Sequence, residues 1–326
     1  MTPTPRAVRA RAAQRERQRR LRIGADLAAP HDGVTTLAAL LDAGLTRGQV
    51  QTHVEHGAWH RVGHHTVSVL GPDVDGRAAW WRALWESGSG AVLDGAVALV
   101  AAGLKGWEPR SIDVTVPNRA KVRAIAGVRH HRLRERAPTA GGALRRTRPE
   151  VAAIRAAQWA VSDTEAATIL AMTVQQRLCT AAAMLARWQT VGRSNRRALL
   201  DAVVQDLCNG AHSLGELDFA RLCRERGLPE PSRQVLRTGP KGSVYLDVHW
   251  EAEGVRVEIQ GAHHEDGLAP VRDALRANDL AIAGVAGIAL EIPVLGLRVD
   301  PEGFMRQVER ALAEGRRRLR SERPGR

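Results

Sequence analysis

Hydrophobic positions in residues 35–70 change from a helical spacing to an alternating one. The segment TTLAALLDAGL predicts a short capped helix that Gly44 ends. TRGQVQTHVEHG predicts a second helix, with Val50 and Val54 four residues apart on its buried side. AWHRVGHHTVSVL then predicts two short strands that turn near Gly63. Helix, short turn, helix and hairpin is the order of elements in a winged helix-turn-helix.

Three polar residues of this region are candidates for DNA binding. Arg47 and Gln51 lie on the side of the second helix away from the two valines, and Arg61 lies in the hairpin. In a winged helix the second helix enters the major groove and the hairpin contacts the backbone. We therefore expect Arg47, Gln51 and Arg61 to hold double-stranded DNA.

The C-terminal third of the chain also has a regular spacing of hydrophobic residues, helical in some segments and alternating in others. SLGELDFARLCRERG is an amphipathic helix that carries Glu216 near its start. VYLDVHWE and VRVEIQG read as two strands joined by a turn at Glu253-Gly254, which makes a β-hairpin. A helix, VRDALRANDLAIAG, an apolar strand, IALEIPVLGL, and a basic helix, FMRQVERALAEGRRRLR, complete the pattern.

The hairpin carries one acidic residue on each strand, Asp247 and Glu258. Paired antiparallel strands place two such side chains a few ångströms apart, where they repel unless a cation lies between them. Oxygen ligands of this kind suit Mg²⁺, which activates water at a phosphodiester. Gln260 is a further oxygen donor, and His263 or His264 is a candidate proton carrier. The alternative is a solvated polar face of the sheet.

The C-terminal segment, residues 213–312, resembles the very-short-patch-repair-like (Vsr-like) endonuclease domains of the PD-(D/E)XK nuclease superfamily. In those domains a helix with an acidic residue is followed by a strand with Asp, a strand with V-E-V-D-G, a nearby His and a helix with charged residues. In this chain the segment VEIQG stands at the position of V-E-V-D-G. The resemblance implies a catalytic site made of Glu216, Asp247, Glu258, Gln260, His263 and His264, and a metal-binding role for Asp247 and Glu258.

Position 260 departs from that pattern. The chain has Gln260 where Vsr-like domains carry Asp and other superfamily members carry Lys. A glutamine keeps an oxygen that can face a metal and loses a negative charge. The departure leaves open whether the implied nuclease is active or catalytically degenerate.

Residues 30–136 resemble the N-terminal region of AbiEi-type antitoxin proteins, on the segment TLAALLDAGLTRGQVQTHVEHGAWHRV, the hairpin after it and AVLDGAVALVAAGL. That region is a winged helix followed by a small α/β module. The resemblance implies DNA binding, autoregulation and a cognate toxin or phage-defence partner.

Charge strengthens the expectation of a polyanionic partner. The 326 residues include 48 Lys and Arg against 35 Asp and Glu, a net charge of +13. Residues 1–23 alone carry eight Arg and one Glu, which predicts a disordered or loosely helical arm that follows the DNA backbone, or else a solvated tail. No apolar run of about 18 residues and no secretory h-region occur, so we expect a cytoplasmic protein without membrane contact.

The predicted fold class is α+β, with several modules in series. We expect a basic arm at 1–25, a winged helix-turn-helix at 26–72, a small α/β module at 73–137, a helical connector at 138–210, a restriction-endonuclease-like α/β/α domain at 211–314 and a basic tail at 315–326. Two functions follow: a DNA-binding protein with a Mg²⁺-dependent endonuclease domain, or an antitoxin-like transcriptional regulator with a degenerate nuclease fold. A third alternative is nucleic-acid binding through net charge alone.

Overall fold

A computed structural model describes residues 4–133, 137–209, 214–238, 244–260, 269–284 and 287–321. Helices and several small sheets alternate along the chain, which makes the fold class α+β as predicted. The chain divides into two compact units. Unit 1 comprises residues 1–101 and 109–148, and unit 2 comprises residues 102–108 and 149–326.

The first half of unit 1 builds a helix pair and a small antiparallel sheet. Thr36 and Thr46 each cap a helix by accepting a backbone N–H, and Gln49 completes a capping box at the second. The strands lie in the order β1-β3-β2, and Trp59 and Val67 are buried in the shared core. The elements are α1 (Pro5–Ala28), β1 (Val34–Thr36), α2 (Leu37–Asp42), α3 (Arg47–Glu55), β2 (His60–Arg61) and β3 (Thr66–Ser68).

The basic N-terminal segment is one continuous helix, where the sequence predicted a disordered or loosely helical arm. Alanine, arginine, glutamine and glutamate all favour helix. The end of α1 is also anchored, because Leu21, Ile23 and Leu27 pack against the core of α2 and α3. Gly24 lies so close to Trp59 that an added Cβ would be 2.5 Å from the indole ring. Tertiary packing therefore fixes a helix that charge patterning alone does not predict.

The second half of unit 1 is a five-stranded sheet with the order β6-β5-β4-β8-β7. Residues 138–148, which we expected to begin the helical connector, supply the last two strands of this sheet. Strands of two residues are too short to show alternation, so the sequence pattern missed them. The elements are α4 (Gly76–Ser87), β4 (Val92–Leu93), α5 (Gly95–Ala101), β5 (Ile112–Pro117), β6 (Val128–Leu133), β7 (Thr139–Ala140) and β8 (Arg146–Thr147).

Unit 2 joins the helices after residue 148 to the C-terminal sheet. From residue 149 onward the predicted helical connector is part of this unit, and its helices α7 and α9 contact α12. The helices are α6 (Pro149–Trp159), α7 (Asp163–Gln175), α8 (Ala181–Gln189), α9 (Arg197–Asn209), α10 (Leu214–Glu225), α11 (Ala269–Ala283), α12 (Val294–Val299) and α13 (Pro301–Ser321). The strands are β9 (Arg233–Thr238), β10 (Val244–Trp250), β11 (Val255–Gln260) and β12 (Ile288–Pro293).

The sheet of unit 2 has the order β12-β11-β10-β9. The first three strands form an antiparallel meander, and β12 returns after α11 to lie parallel to β11. The sequence predicted three of the four strands and missed β9.

The two faces of this sheet differ sharply. One face is apolar, and α10, α11, α12 and α13 contribute to the core on it. On the opposite face Arg256, Ala289 and Glu291 are exposed. The core to which these four helices contribute thus lies on one face of the sheet, and the α/β/α arrangement that the resemblance implied stays a prediction.

Candidate functional site

The two acidic residues of the hairpin stand directly opposite one another. Asp247 on β10 is the register partner of Glu258 on β11, so both side chains lie on the polar face of the sheet. Asp247 is only 5% exposed. Alternation puts Asp247 on the polar face, because its neighbours Leu246 and Val248 point into the core. Its burial there fits an inner strand, with β9 on one side and β11 on the other. The juxtaposition predicted from the sequence is confirmed.

A cation of the chain itself already lies between these carboxylates. The guanidinium of Arg256 donates from Nη2 to Oε2 of Glu258 at 2.8 Å. Its Nε lies 3.9 Å from Oδ1 of Asp247. Arg256 precedes Glu258 by two residues on β11, so strand geometry places the two side chains on the same face. The acidic pair is thus neutralised in part by a neighbouring arginine.

The described residues do not fit a Mg²⁺ site of the implied kind. Within the described ranges there is no group of three His, Cys, Asp or Glu side chains arranged to hold a metal ion. The pair supplies two carboxylates, and the place of their counter-ion is taken by Arg256. Mg²⁺ binding by Asp247 and Glu258 therefore stays a prediction that the visible geometry disfavours.

The other implied catalytic residues fall where little is described. Gln260 ends β11 and is paired in register with Tyr245. Glu216 is in the first turn of α10. The side chains of both residues lie outside the described part of the chain, as do His263 and His264 entirely.

Sequence reasoning missed a third carboxylate in the same row. Glu291 of β12 is the register partner of Glu258, so Asp247, Glu258 and Glu291 occupy matching positions on three adjacent strands. The signal was present, because Ile288, Leu290 and Ile292 alternate with it and all point into the core. The Glu291 side chain is exposed, and it adds negative charge to the face that Arg256 partly neutralises.

The predicted DNA-binding residues of unit 1 are all exposed. Arg47 is in the first turn of α3, and Gln51 lies one turn further, where its Nε2 donates to Glu55 Oε1 at 3.0 Å. Arg61 ends β2, and its Nη2 donates to the carbonyl oxygen of His64 at 2.8 Å. The Gln51 side chain is thus bonded along α3, and the Arg61 side chain is bonded within the hairpin.

The tip of that hairpin is held by a carboxylate from α4. Glu86 Oε1 accepts hydrogen bonds from the backbone N–H of His65 and the hydroxyl of Thr66, both at 2.7 Å. Its Oε2 accepts the backbone N–H of His64 at 2.9 Å. Burial acts to raise the pKa of Glu86, but these hydrogen bonds outweigh it and hold the pKa below its ordinary value. Sequence reasoning did not single out Glu86, because its partners are about 20 residues away in the chain.

The helix α1 gives unit 1 a further basic surface. Its arginines at positions 6, 9, 11, 15, 17, 19 and 22 are exposed, whereas Arg20 is partly buried. Burial, together with the nearby charges of Arg20 and Arg17, lowers the pKa of His53 on α3. The charge of α1 therefore acts on α3, the helix that carries Arg47 and Gln51.

None of the described helices combines the length and the apolar character needed to cross a membrane. Comparison with known proteins assigns no family to the chain, since no protein-family model matches it and no curated protein does either.

Proposed function

We propose that the protein binds double-stranded DNA through unit 1, with α3 as the helix that contacts bases. The observation that supports this most is the exposed position of Arg47 and Gln51 on α3, the second helix of a pair that is followed by an antiparallel hairpin. A winged helix-turn-helix presents its second helix and its hairpin in this way. Arginine and glutamine are also side chains that pair with the major-groove edges of guanine and adenine.

Charge supports the same proposal. Arg61 is exposed on the hairpin, and α1 adds a row of exposed arginines. Arginines that neutralise phosphates release counter-ions from DNA, so the affinity falls steeply as salt rises. We therefore assign α1 and Arg61 to the backbone, and Arg47 with Gln51 to base recognition.

The experiment is a fluorescence-anisotropy titration of a labelled duplex at several salt concentrations. If about six phosphates are contacted, the affinity falls roughly 10³-fold between 50 and 200 mM salt. An affinity that does not change with salt concentration, or no binding at 50 mM salt, would exclude the proposal.

A second candidate function is Mg²⁺-dependent endonuclease activity in unit 2. The observation in its favour is the register of Asp247 and Glu258 on a sheet whose meander and parallel fourth strand follow the order helix, three strands, helix, strand. The contact of Arg256 with both carboxylates weighs against it. The competing assignment is a DNA-binding regulator of the antitoxin type, with a cognate toxin or phage-defence partner and a degenerate nuclease fold, and Arg256 favours this assignment.

Nicking of supercoiled plasmid separates the two assignments. Wild type is incubated with Mg²⁺ or Mn²⁺ beside Asp247→Ala, which removes one carboxylate of the pair. Nicking that disappears in the variant supports the endonuclease. Equal traces of nicking in both proteins indicate a contaminant, and the regulator assignment then stands.

A further inference from the structure

We infer that Arg256 is a built-in counter-ion that takes the place of a divalent metal between Asp247 and Glu258. The inference concerns unit 2 alone and does not depend on DNA binding by unit 1. Arg256 gives the row of acidic residues on this sheet a positive charge supplied by the chain itself.

The acidic side chains on this face carry like charges, which repel one another. Asp247 and Glu258 are directly opposed across β10 and β11, and Glu291 follows at the matching position of β12. Like charges on opposed strand positions destabilise a sheet, and the cost grows when one of the groups is removed from water. Asp247 is such a group, because its side chain is only 7% exposed.

Arg256 meets this need by geometry as well as by charge. Two of its three nitrogens approach different carboxylates, Nη2 that of Glu258 and Nε that of Asp247, so one guanidinium contacts both. His249 is the register partner of Arg256 on the same face and is half-buried, which places one further basic side chain beside the group. A planar guanidinium with several donors suits paired carboxylates better than a single ammonium does.

The position of this arginine also opposes metal binding. A dication that entered between the carboxylates would have to displace the guanidinium of Arg256. It would still be repelled by that positive charge, because Arg256 is only two residues from Glu258 on the same strand. Because the Arg256 side chain is 48% exposed, solvent screens part of its charge. We expect removal of this charge to tighten the binding of a dication by about tenfold.

The test measures metal binding directly on the full chain without DNA. Mn²⁺ is titrated into wild type, Arg256→Gln, Arg256→Lys, Asp247→Asn and the double variant Arg256→Gln/Asp247→Asn, with free Mn²⁺ followed by electron paramagnetic resonance. Thermal unfolding with and without Mg²⁺ gives a second readout, since an ion that binds only the folded state stabilises it. Arg276→Gln is the matched control, because Arg276 lies in the same unit and contacts Asp273 instead of the acidic pair.

The expected result is a gain of metal binding in one variant only. Arg256→Gln binds Mn²⁺ at least about tenfold more tightly than wild type and is stabilised by Mg²⁺. The gain is absent from Arg256→Lys, from Arg276→Gln and from the double variant.

Two results would overturn the inference. One is Mn²⁺ binding to wild type that is lost in Asp247→Asn, since this would mean that the pair already holds a metal despite Arg256. The other is a folded Arg256→Gln, shown by an unchanged circular dichroism spectrum, that binds no more Mn²⁺ than wild type. The comparison of wild type with Asp247→Asn decides the question even if Arg256→Gln does not fold.

Discussion

Glu86 of α4 accepts a hydrogen bond from Thr66 of β3 at 2.7 Å, and through it the α/β half of unit 1 holds the hairpin that follows α3. The same carboxylate accepts the backbone N–H groups of His64 and His65 at the tip of the hairpin. Gly63 completes the arrangement, because an added Cβ there would be 2.4 Å from Glu86 Oε1. The conformation of the hairpin thus depends on a residue outside the helix pair.

Replacing Glu86 with Gln tests this dependence. An amide has one acceptor oxygen in place of two, so at least one N–H of the hairpin tip loses its partner. We expect the free energy of unfolding to fall by about 1–2 kcal/mol and the affinity for duplex DNA to weaken. Thermal unfolding and anisotropy measure the two effects. Asp73→Asn, an exposed charge change in the same unit, should alter neither.

The lowered pKa of Glu86 sets the sign of its acid response. A carboxyl group whose pKa is lower in the folded than in the unfolded chain contributes stability above its ordinary pKa, 4.5, and loses that contribution as the pH falls through the lowered value. Wild type should lose stability in that acid range by more than Glu86→Gln does. Parallel pH profiles for the two proteins would contradict the assigned hydrogen bonds.

His53 gives a second pH response at milder pH. Its imidazole is 4% exposed and lies against Trp59, with ring centroids 4.4 Å apart. Burial first, and then the charges of Arg20, Arg17 and His56, lower its pKa from the ordinary 6.5. The unfolded chain therefore binds a proton more readily than the folded chain, and stability falls as the pH drops below about 6.5.

His53→Phe should remove that part of the pH dependence, because phenylalanine fills the same space without titrating. Unfolding temperatures at pH 7.5 and 5.5 for wild type and the variant measure it. His56→Gln, a change at an exposed neighbour, should leave most of the dependence in place. An unchanged pH response in His53→Phe would show that another group is responsible.

Strongly periodic segments were predictable from the sequence, and segments fixed by distant contacts were not. The capped helices α2 and α3 carry their signals locally, in Thr36 and in the pair Thr46 and Gln49. The helix α1 does not, because its anchor is the contact of Gly24 with Trp59, 35 residues away in sequence. The short strands β7 and β8 take their structure from pairing alone.

The candidate site of unit 2 shows the same division. Period-two alternation was enough to place Asp247 opposite Glu258, and the register confirms it. Alternation also puts Arg256 on that face, but only the structure shows its side chain turned toward both carboxylates. The charge state of an acidic pair depends on such neighbours, and residue type and spacing do not determine it.

An amide side chain closes one edge of the unit 2 sheet. Asn278 of α11 donates from Nδ2 to the carbonyl oxygen of Glu291 and accepts the backbone N–H of Glu291 on Oδ1, at 2.9 and 2.8 Å. Its Nδ2 also donates to Gln307 of α13 at 3.0 Å. The side chain therefore satisfies β12 as a neighbouring strand would.

Asn278→Ala should destabilise unit 2 by about 1–3 kcal/mol, because two backbone groups and one buried amide lose their partner. Asn278→Asp should be at least as harmful, since a carboxylate cannot donate to the Glu291 carbonyl. Chemical unfolding followed by circular dichroism measures both. Arg276→Gln, two residues earlier on α11 and exposed, should be nearly neutral. Equal stabilities for Asn278→Ala and wild type would show that water replaces the amide at this edge.

The central claim is that α3 of unit 1 reads DNA sequence. The direct measurement compares wild type with the double variant Arg47→Ala/Gln51→Ala on two duplexes of equal length, one selected from a random pool by the wild type and one of scrambled sequence. Arg123→Ala, an exposed charge change elsewhere in unit 1, serves as the control.

If α3 contacts base edges, the double variant loses more affinity for the selected duplex than for the scrambled one. The expected difference is about 1–3 kcal/mol for each base contact removed. The Arg123→Ala control should reduce the affinity for both duplexes slightly and equally. Equal losses on both duplexes would mean that Arg47 and Gln51 contact phosphate only, and unchanged binding to both would contradict the assignment of α3 as the DNA-reading helix.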